Sequence, residues 1–176
     1  MLMLTDLERV LPRLREHRIA GGRGIDWVSI ESDLGTRLPS DFIELAEAYP
    51  RFSLDDFLSV HIPEPGGERF FTAGVRETLD ELADLRDSGM SHEHVPYPEP
   101  GGLFPWGDSA EGDTFYWRTT GGHPDAWTIL VSGHNDDWCA YQGTVTEYLA
   151  GLLAGTVSPD GLPPDFPREA PTLDFD

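Results

Sequence analysis

Any chemistry in this 176-residue chain would start from His92-Glu93-His94, where two imidazoles stand two residues apart. On a strand such a pair shares one face and can share a metal ion. The carboxylates nearest in sequence, Asp108, Glu111 and Asp113, would then complete a hydrolase-type centre. The pair nevertheless lies in a loop ahead of Pro96 and Pro98, and no His-x-x-x-His or cysteine pair supports it. A solvated loop is the simpler reading, so no metal is assigned. The turn Gly107–Asp113 offers oxygens for calcium, but counting a calcium loop from Asp108 places Thr119 where the closing glutamate belongs. Gly107-Asp108-Ser109-Ala110-Glu111 lacks the last glycine of a nucleophile elbow and sits in a hairpin, the wrong setting for a strand-to-helix turn. Cys139 follows His134 by five residues but falls inside a strand pattern beside Trp138 and Tyr141, where it reads as a small buried hydrophobe. Gly21-Gly22-Arg23-Gly24 is a helix stop, with no strand before it and no Lys-Ser or Lys-Thr after it. An enzyme is therefore disfavoured, and no cofactor is expected.

What remains is aromatic and acidic together: Trp106, Trp117, Trp127 and Trp138 beside Asp108, Glu111, Asp113, Asp136 and Asp137. Trp117 and Trp127 fit a core. Trp106 and Trp138 adjoin turns and read as anchors for a partner, since aromatic side chains concentrate binding energy. Charged neighbours at a rim set association rate and specificity. The expected partner-binding set is Trp106, Asp108, Glu111, Asp113, Asp136, Asp137 and Trp138.

The elements that would hold these residues are legible from periodicity. Phe115 and Trp117 share one strand face, with Thr114, Tyr116 and Arg118 on the other; Trp127, Ile129 and Val131 alternate likewise with Thr128, Leu130 and Ser132. The connections, roughly 119–126 and 133–137, are too short for a crossover helix, so the pairing is antiparallel. Thr144 and Glu147 form a capping-box pattern ahead of a helix whose stripe is Val145, Tyr148, Leu149, Leu152 and Leu153. Upstream, a helix over 4–19 opens on a Thr5–Glu8 box and ends at Gly21-Gly22. A second runs from an Asp26 cap to Gly35, and a third from a Ser40 cap to Pro50. A strand is predicted over 57–62, a short edge strand at Phe70-Phe71-Thr72, and a helix over 75–88. Residues 90–102 form a loop. Residues 156–176, with five prolines and no period, read as an irregular tail unless Phe166 and Phe175 anchor it. The expected organisation is one domain over 1–155 followed by that tail.

Charge narrows the partners. The chain carries 32 acidic and 12 basic residues, a formal net charge of −20, and every basic residue is arginine. From Leu103 onward two arginines, Arg118 and Arg168, face 12 acids. Such a surface repels nucleic-acid phosphates and anionic lipids and steers toward basic proteins. Met1-Leu2-Met3-Leu4 is too short for a signal peptide, no stretch approaches a membrane span, and one cysteine excludes an internal disulfide, which together point to the cytoplasm.

The strings Leu103-Phe104-Pro105-Trp106-Gly107-Asp108, Gly112-Asp113, Phe115-Tyr116-Trp117-Arg118, Pro124-Asp125-Ala126-Trp127 and Thr146-Glu147-Tyr148-Leu149 occur in an order that resembles the SUKH superfamily of Smi/Knr-type proteins. Ile30-Glu31, Leu34-Gly35 and Leu38-Pro39-Ser40-Asp41-Phe42 extend the resemblance, which spans about residues 25–155. It implies an α+β fold: an antiparallel twisted sheet of four to six strands with helices packed mainly on one face, leaving the other face available. It also implies a bacterial immunity protein that binds and neutralises a toxin, in this case a cationic toxin domain such as a basic nuclease. The alternative within the same superfamily is an intracellular regulatory scaffold, and a metal-dependent hydrolase built on His92 and His94 ranks behind both. Oligomeric state is not legible.

Overall fold

Alternating apolar residues between Leu103 and Tyr141 build four adjacent strands of a seven-stranded antiparallel sheet. The computed structural model describes residues 3–176; Met1 and Leu2, which the signal-peptide reading touches, lie outside the described residues. In chain order the elements are α1 (Met3–Val10), α2 (Pro12–Arg15), α3 (Trp27–Leu34), α4 (Ser40–Ala48), β1 (Phe52–Leu54), β2 (Leu58–Val60), α5 (Glu68–Asp87), β3 (Leu103–Ser109), β4 (Thr114–Arg118), β5 (Thr128–Ser132), β6 (Trp138–Tyr141), α6 (Val145–Ala154) and β7 (Leu173–Phe175). The strands lie in the order β6-β5-β4-β3-β2-β1-β7. The fold is α+β, with no helix among the described residues long and apolar enough to cross a membrane.

Alternation sorts the sheet into two unequal faces. Phe104, Trp106, Phe115, Trp117, Ile129 and Val131 join the main core with Leu4, Leu7, Phe42, Leu45 and Leu149 from the helices. Phe42 meets Trp117 edge-on at 5.1 Å. On the opposite face Leu103, Tyr116 and Leu130 meet Leu82 of α5 in a smaller cluster. Most helices thus pack on one face, but the other is not left open, because α5 crosses part of it.

Several local readings hold. Asp26 caps α3 by accepting from the Ser29 amide, and Gly35 closes the helix in the left-handed conformation at φ 76°. The Thr144–Glu147 capping box opens α6. Others are corrected. The first helix is broken at Pro12, whose ring cannot continue the preceding turn. The Thr5–Glu8 box does not form: the helix already runs from Met3, and Glu8 is buried, accepting from Tyr49 at 2.6 Å and Arg18 at 2.8 Å. Pro39, not Ser40, is the cap of α4. Phe70-Phe71-Thr72 is helical. Phe71, Val75 and Leu82 recur at helical spacing toward the sheet, and that period overrides the strand preference of a Phe-Phe-Thr string. The predicted strand over 57–62 becomes the shorter β2, paired with a β1 that the sequence reading missed.

The tail is part of the domain. Phe166 is buried and packs at a tilt against Phe57 with centroids 4.7 Å apart, and β7 pairs with β1 through Phe52↔Phe175 and Leu54↔Leu173. Asp55 accepts from the amides of Arg168 and Thr172, both at 2.8 Å. Two phenylalanines and one carboxylate therefore hold a segment without internal periodicity, and β7 raises the sheet beyond the six strands expected.

Candidate functional site

Antiparallel order places the β1–β2, β3–β4 and β5–β6 turns at one end of the sheet. Each carries acids. Asp55 and Asp56 make the first turn, both at positive φ (56° and 50°), a conformation aspartate tolerates better than most residues. Asp55 is turned inward to the tail, while Asp56 is exposed. Ala110 in the second turn donates its amide to the Phe57 carbonyl at 2.9 Å, so the first two turns are joined.

The second and third turns are joined by Asp113. Its carboxylate is fully buried and accepts from the His134 amide at 2.9 Å, lies 2.9 Å from His134 Nδ1, and receives the Ser109 hydroxyl. The Asp113 amide in turn donates to Ser109 Oγ at 3.0 Å. The Asp113 hydrogen bond is the main reason the His134 imidazole titrates above its ordinary range, with the charges of Asp113, Glu111 and Asp137 adding to it. In the third turn Gly133 donates to the Asp137 carbonyl at 2.6 Å, and Asp136 takes φ 64°. Asp136 Oδ2 lies 3.0 Å from His92 Nε2, and that contact holds its carboxyl below the usual range.

Of the seven residues expected to bind a partner, four converge here: Glu111, Asp113, Asp136 and Asp137. Glu111, Asp136 and Asp137 are exposed, whereas buried Asp113 is the strut beneath them. Trp138 is half-buried, with the rings of His94 and His92 at 4.7 Å and 5.8 Å. Asp108 points to the second face, where His61 Nε2 sits 3.1 Å away. Burial opposes its charge, but the His61 contact and the nearby Arg51 charge together outweigh it and the carboxyl titrates low. Trp106 is not an interface anchor. It is 1 % exposed and packs against Phe115 at 5.2 Å and Tyr148 at 6.1 Å, because it shares the core face of β3 with Phe104.

Sequence reasoning missed Asp56 and the structural part played by His134. Neither carries a motif; both become visible only once the hairpins are aligned. The tail adds exposed Asp160 and Asp165, the latter lining a small cleft with Asp56, Glu111 and the exposed Arg168. The result is an acidic rim on a braced sheet end, able to attract and orient a cationic surface. His92 and His94 are engaged with Trp138 and do not meet Asp108 or Asp113, and no group of three metal-ligating side chains converges among the described residues. Burial pushes the Cys139 thiol up, away from nucleophile chemistry. Compared with known proteins, the chain matches no family model, no curated protein and no solved structure.

Proposed function

We propose that this chain is a non-catalytic protein-binding module of immunity type, which docks on a cationic toxin domain through the acidic end of its sheet. The observation that carries the reading is the convergence of Asp56, Glu111, Asp136 and Asp137 from three separate turns onto one rim braced from below by Asp113. Charges fixed on hairpins lose little freedom on binding, so they serve recognition better than charges on a mobile tail. The net charge of −20 and the resemblance to SUKH immunity proteins support the same reading, which places the chain in the cytoplasm.

The test is capture at low ionic strength on the immobilised chain, identification of the bound protein, and its purification for kinetics. A basic protein is expected, with association slowed about tenfold between about 0.05 M and about 0.5 M salt. The double variant Asp136→Arg, Asp137→Arg should slow association by a similar factor, and coexpression of the native chain should relieve the partner's toxicity. A neutral or acidic partner, or association indifferent to both salt and charge reversal, would overturn the proposal.

A further inference from the structure

The second sheet face is covered by one helix, and only partly. Leu82 fixes the C-terminal half of α5 on Leu103, Tyr116 and Leu130. An open groove of about 520 Å³ lies beside the N-terminal half, lined on the sheet side by His61, Pro105 and Asp108. Its apolar lining comes from Ile62, Pro63, Phe70, Phe71, Val75 and Pro105. Phe70 is 85 % exposed, the most exposed of the large apolar side chains among the described residues. A groove with apolar walls and a solvent-exposed phenylalanine is the kind of surface that marks a docking site.

Charge selects the occupant. The lining contains four carboxylates, on Glu64, Glu77, Asp108 and Asp176, against the basic side chains of Arg51 and His61. Both face an acid of the same set, Arg51 Nε 3.2 Å from Asp176 and His61 Nε2 3.1 Å from Asp108. Glu64 is held by Arg23 at 2.5 Å, so that among the described residues Glu77 is the lining carboxylate left for a basic group of the occupant. Arg69 and Arg76 line a separate cleft against α3, where Arg76 bonds Asp33 at 2.8 Å. A second copy of the chain would bring its own net charge of −20 to these carboxylates and be repelled. We infer that the groove docks an extended segment of the protein partner in which apolar side chains are flanked by arginine or lysine. The inference rests on the protein-binding reading and adds to it a second, apolar anchor. Asp108, two residues ahead of the Ala110 turn, links the groove to the rim.

The probe is acetyl-Gly-Arg-Phe-Leu-Arg-Gly-amide, titrated into the isotope-labelled full chain and followed by amide resonances. Saturable shifts are expected at His61, Phe71, Val75 and Asp108, with a dissociation constant of about 1 mM or tighter. Replacing both arginines by glutamate, or Phe-Leu by Gly-Gly, should weaken binding at least about fivefold, as should Phe70→Ser or Glu77→Lys, both at exposed positions where folding is little affected. Equal binding of the glutamate peptide, shifts confined to other surfaces, or no binding would overturn the inference. So would a concentration-dependent dimer in sedimentation that Phe70→Ser abolishes, since the groove would then face another copy. Failure of the peptide with a cationic partner still bound at the hairpin end removes the groove alone; failure to find any cationic protein partner removes the underlying reading.

Discussion

Trp106→Ala separates a core role from an interface role for the residue that sequence alone places at a docking surface. The indole is 1 % exposed and wedged between Phe115 and Tyr148, so its removal opens a large cavity in the main core. Truncating a buried tryptophan costs about 3–5 kcal/mol, a large share of the ~5–15 kcal/mol that holds a typical domain together. At this chain length that corresponds to a fall in Tm of roughly 10 °C. Trp106→Phe should cost only about 1 kcal/mol, because the indole Nε1 has no protein acceptor and its loss breaks no hydrogen bond. Half-buried Trp138, replaced by alanine, should likewise cost about 1 kcal/mol. Urea denaturation followed by far-UV circular dichroism ranks the three variants directly. If Trp106→Ala unfolds within about 1 kcal/mol of the native chain yet loses partner binding, the indole is at the surface and the packing described for β3 is wrong.

Two further outcomes follow from the sheet end. In a histidine NMR titration His134 should titrate above about 6.5 and His94, which is depressed first by burial, below it. The His134 contact therefore stabilises the fold at pH below its ordinary value and is lost as pH rises through its raised pKa. The neutral burial of His94 stabilises above the ordinary value and is lost as pH falls through its lowered one. Asp113→Asn should return His134 toward the ordinary value; an unmoved titration would refute the strut. Asp55→Ala leaves the amides of Arg168 and Thr172 without their acceptor, at a cost of about 1–3 kcal/mol. Tryptic cleavage after Arg168 should accelerate under native conditions, and an unchanged rate would show that Phe166 and β7 hold the tail unaided.

The elements read correctly from sequence are those whose signals are local. The β4 and β5 faces follow from alternation, and the Asp26 cap and the Thr144–Glu147 box each need only the next three residues. Two of the missed elements are short or depend on a distant partner. β1 is three residues long, too short for alternation to mark it, and β7 exists because it pairs with β1, a contact between residues 52 and 175 that no window of sequence contains. The strings that carry the SUKH resemblance turn out to hold the fold. Ser40 donates to Asp125 from both amide and hydroxyl, and Asp41, whose pKa is raised by burial, accepts from the Thr146 amide at 3.1 Å. They tie α4 to the 124–126 turn and to the start of α6, which is why they speak to architecture more than to a binding surface.

The departure of Trp106 and Asp108 from the expected contact set has one physical origin in β3. Phe104 pairs with Trp117 and Pro105 with Tyr116, but the next pair is Gly107 with Phe115, leaving Trp106 as the extra residue of a β-bulge. Unbroken alternation from Phe104 would send Asp108 into the core beside Trp106. The bulge resets the phase, so Trp106 stays inside while Asp108, opposite Thr114, emerges on the second face beside His61. Gly107 permits it: a Cβ there would lie 2.6 Å from the Ser59 carbonyl oxygen, so no larger residue allows β2 this close. One inserted residue thus keeps an aspartate out of the core and delivers its charge to the groove under α5. A Gly107→Ala substitution should push β2 away from β3 and disturb the His61–Asp108 pair before it affects the β5–β6 turn, a sequence of events that amide exchange on the two hairpins would resolve.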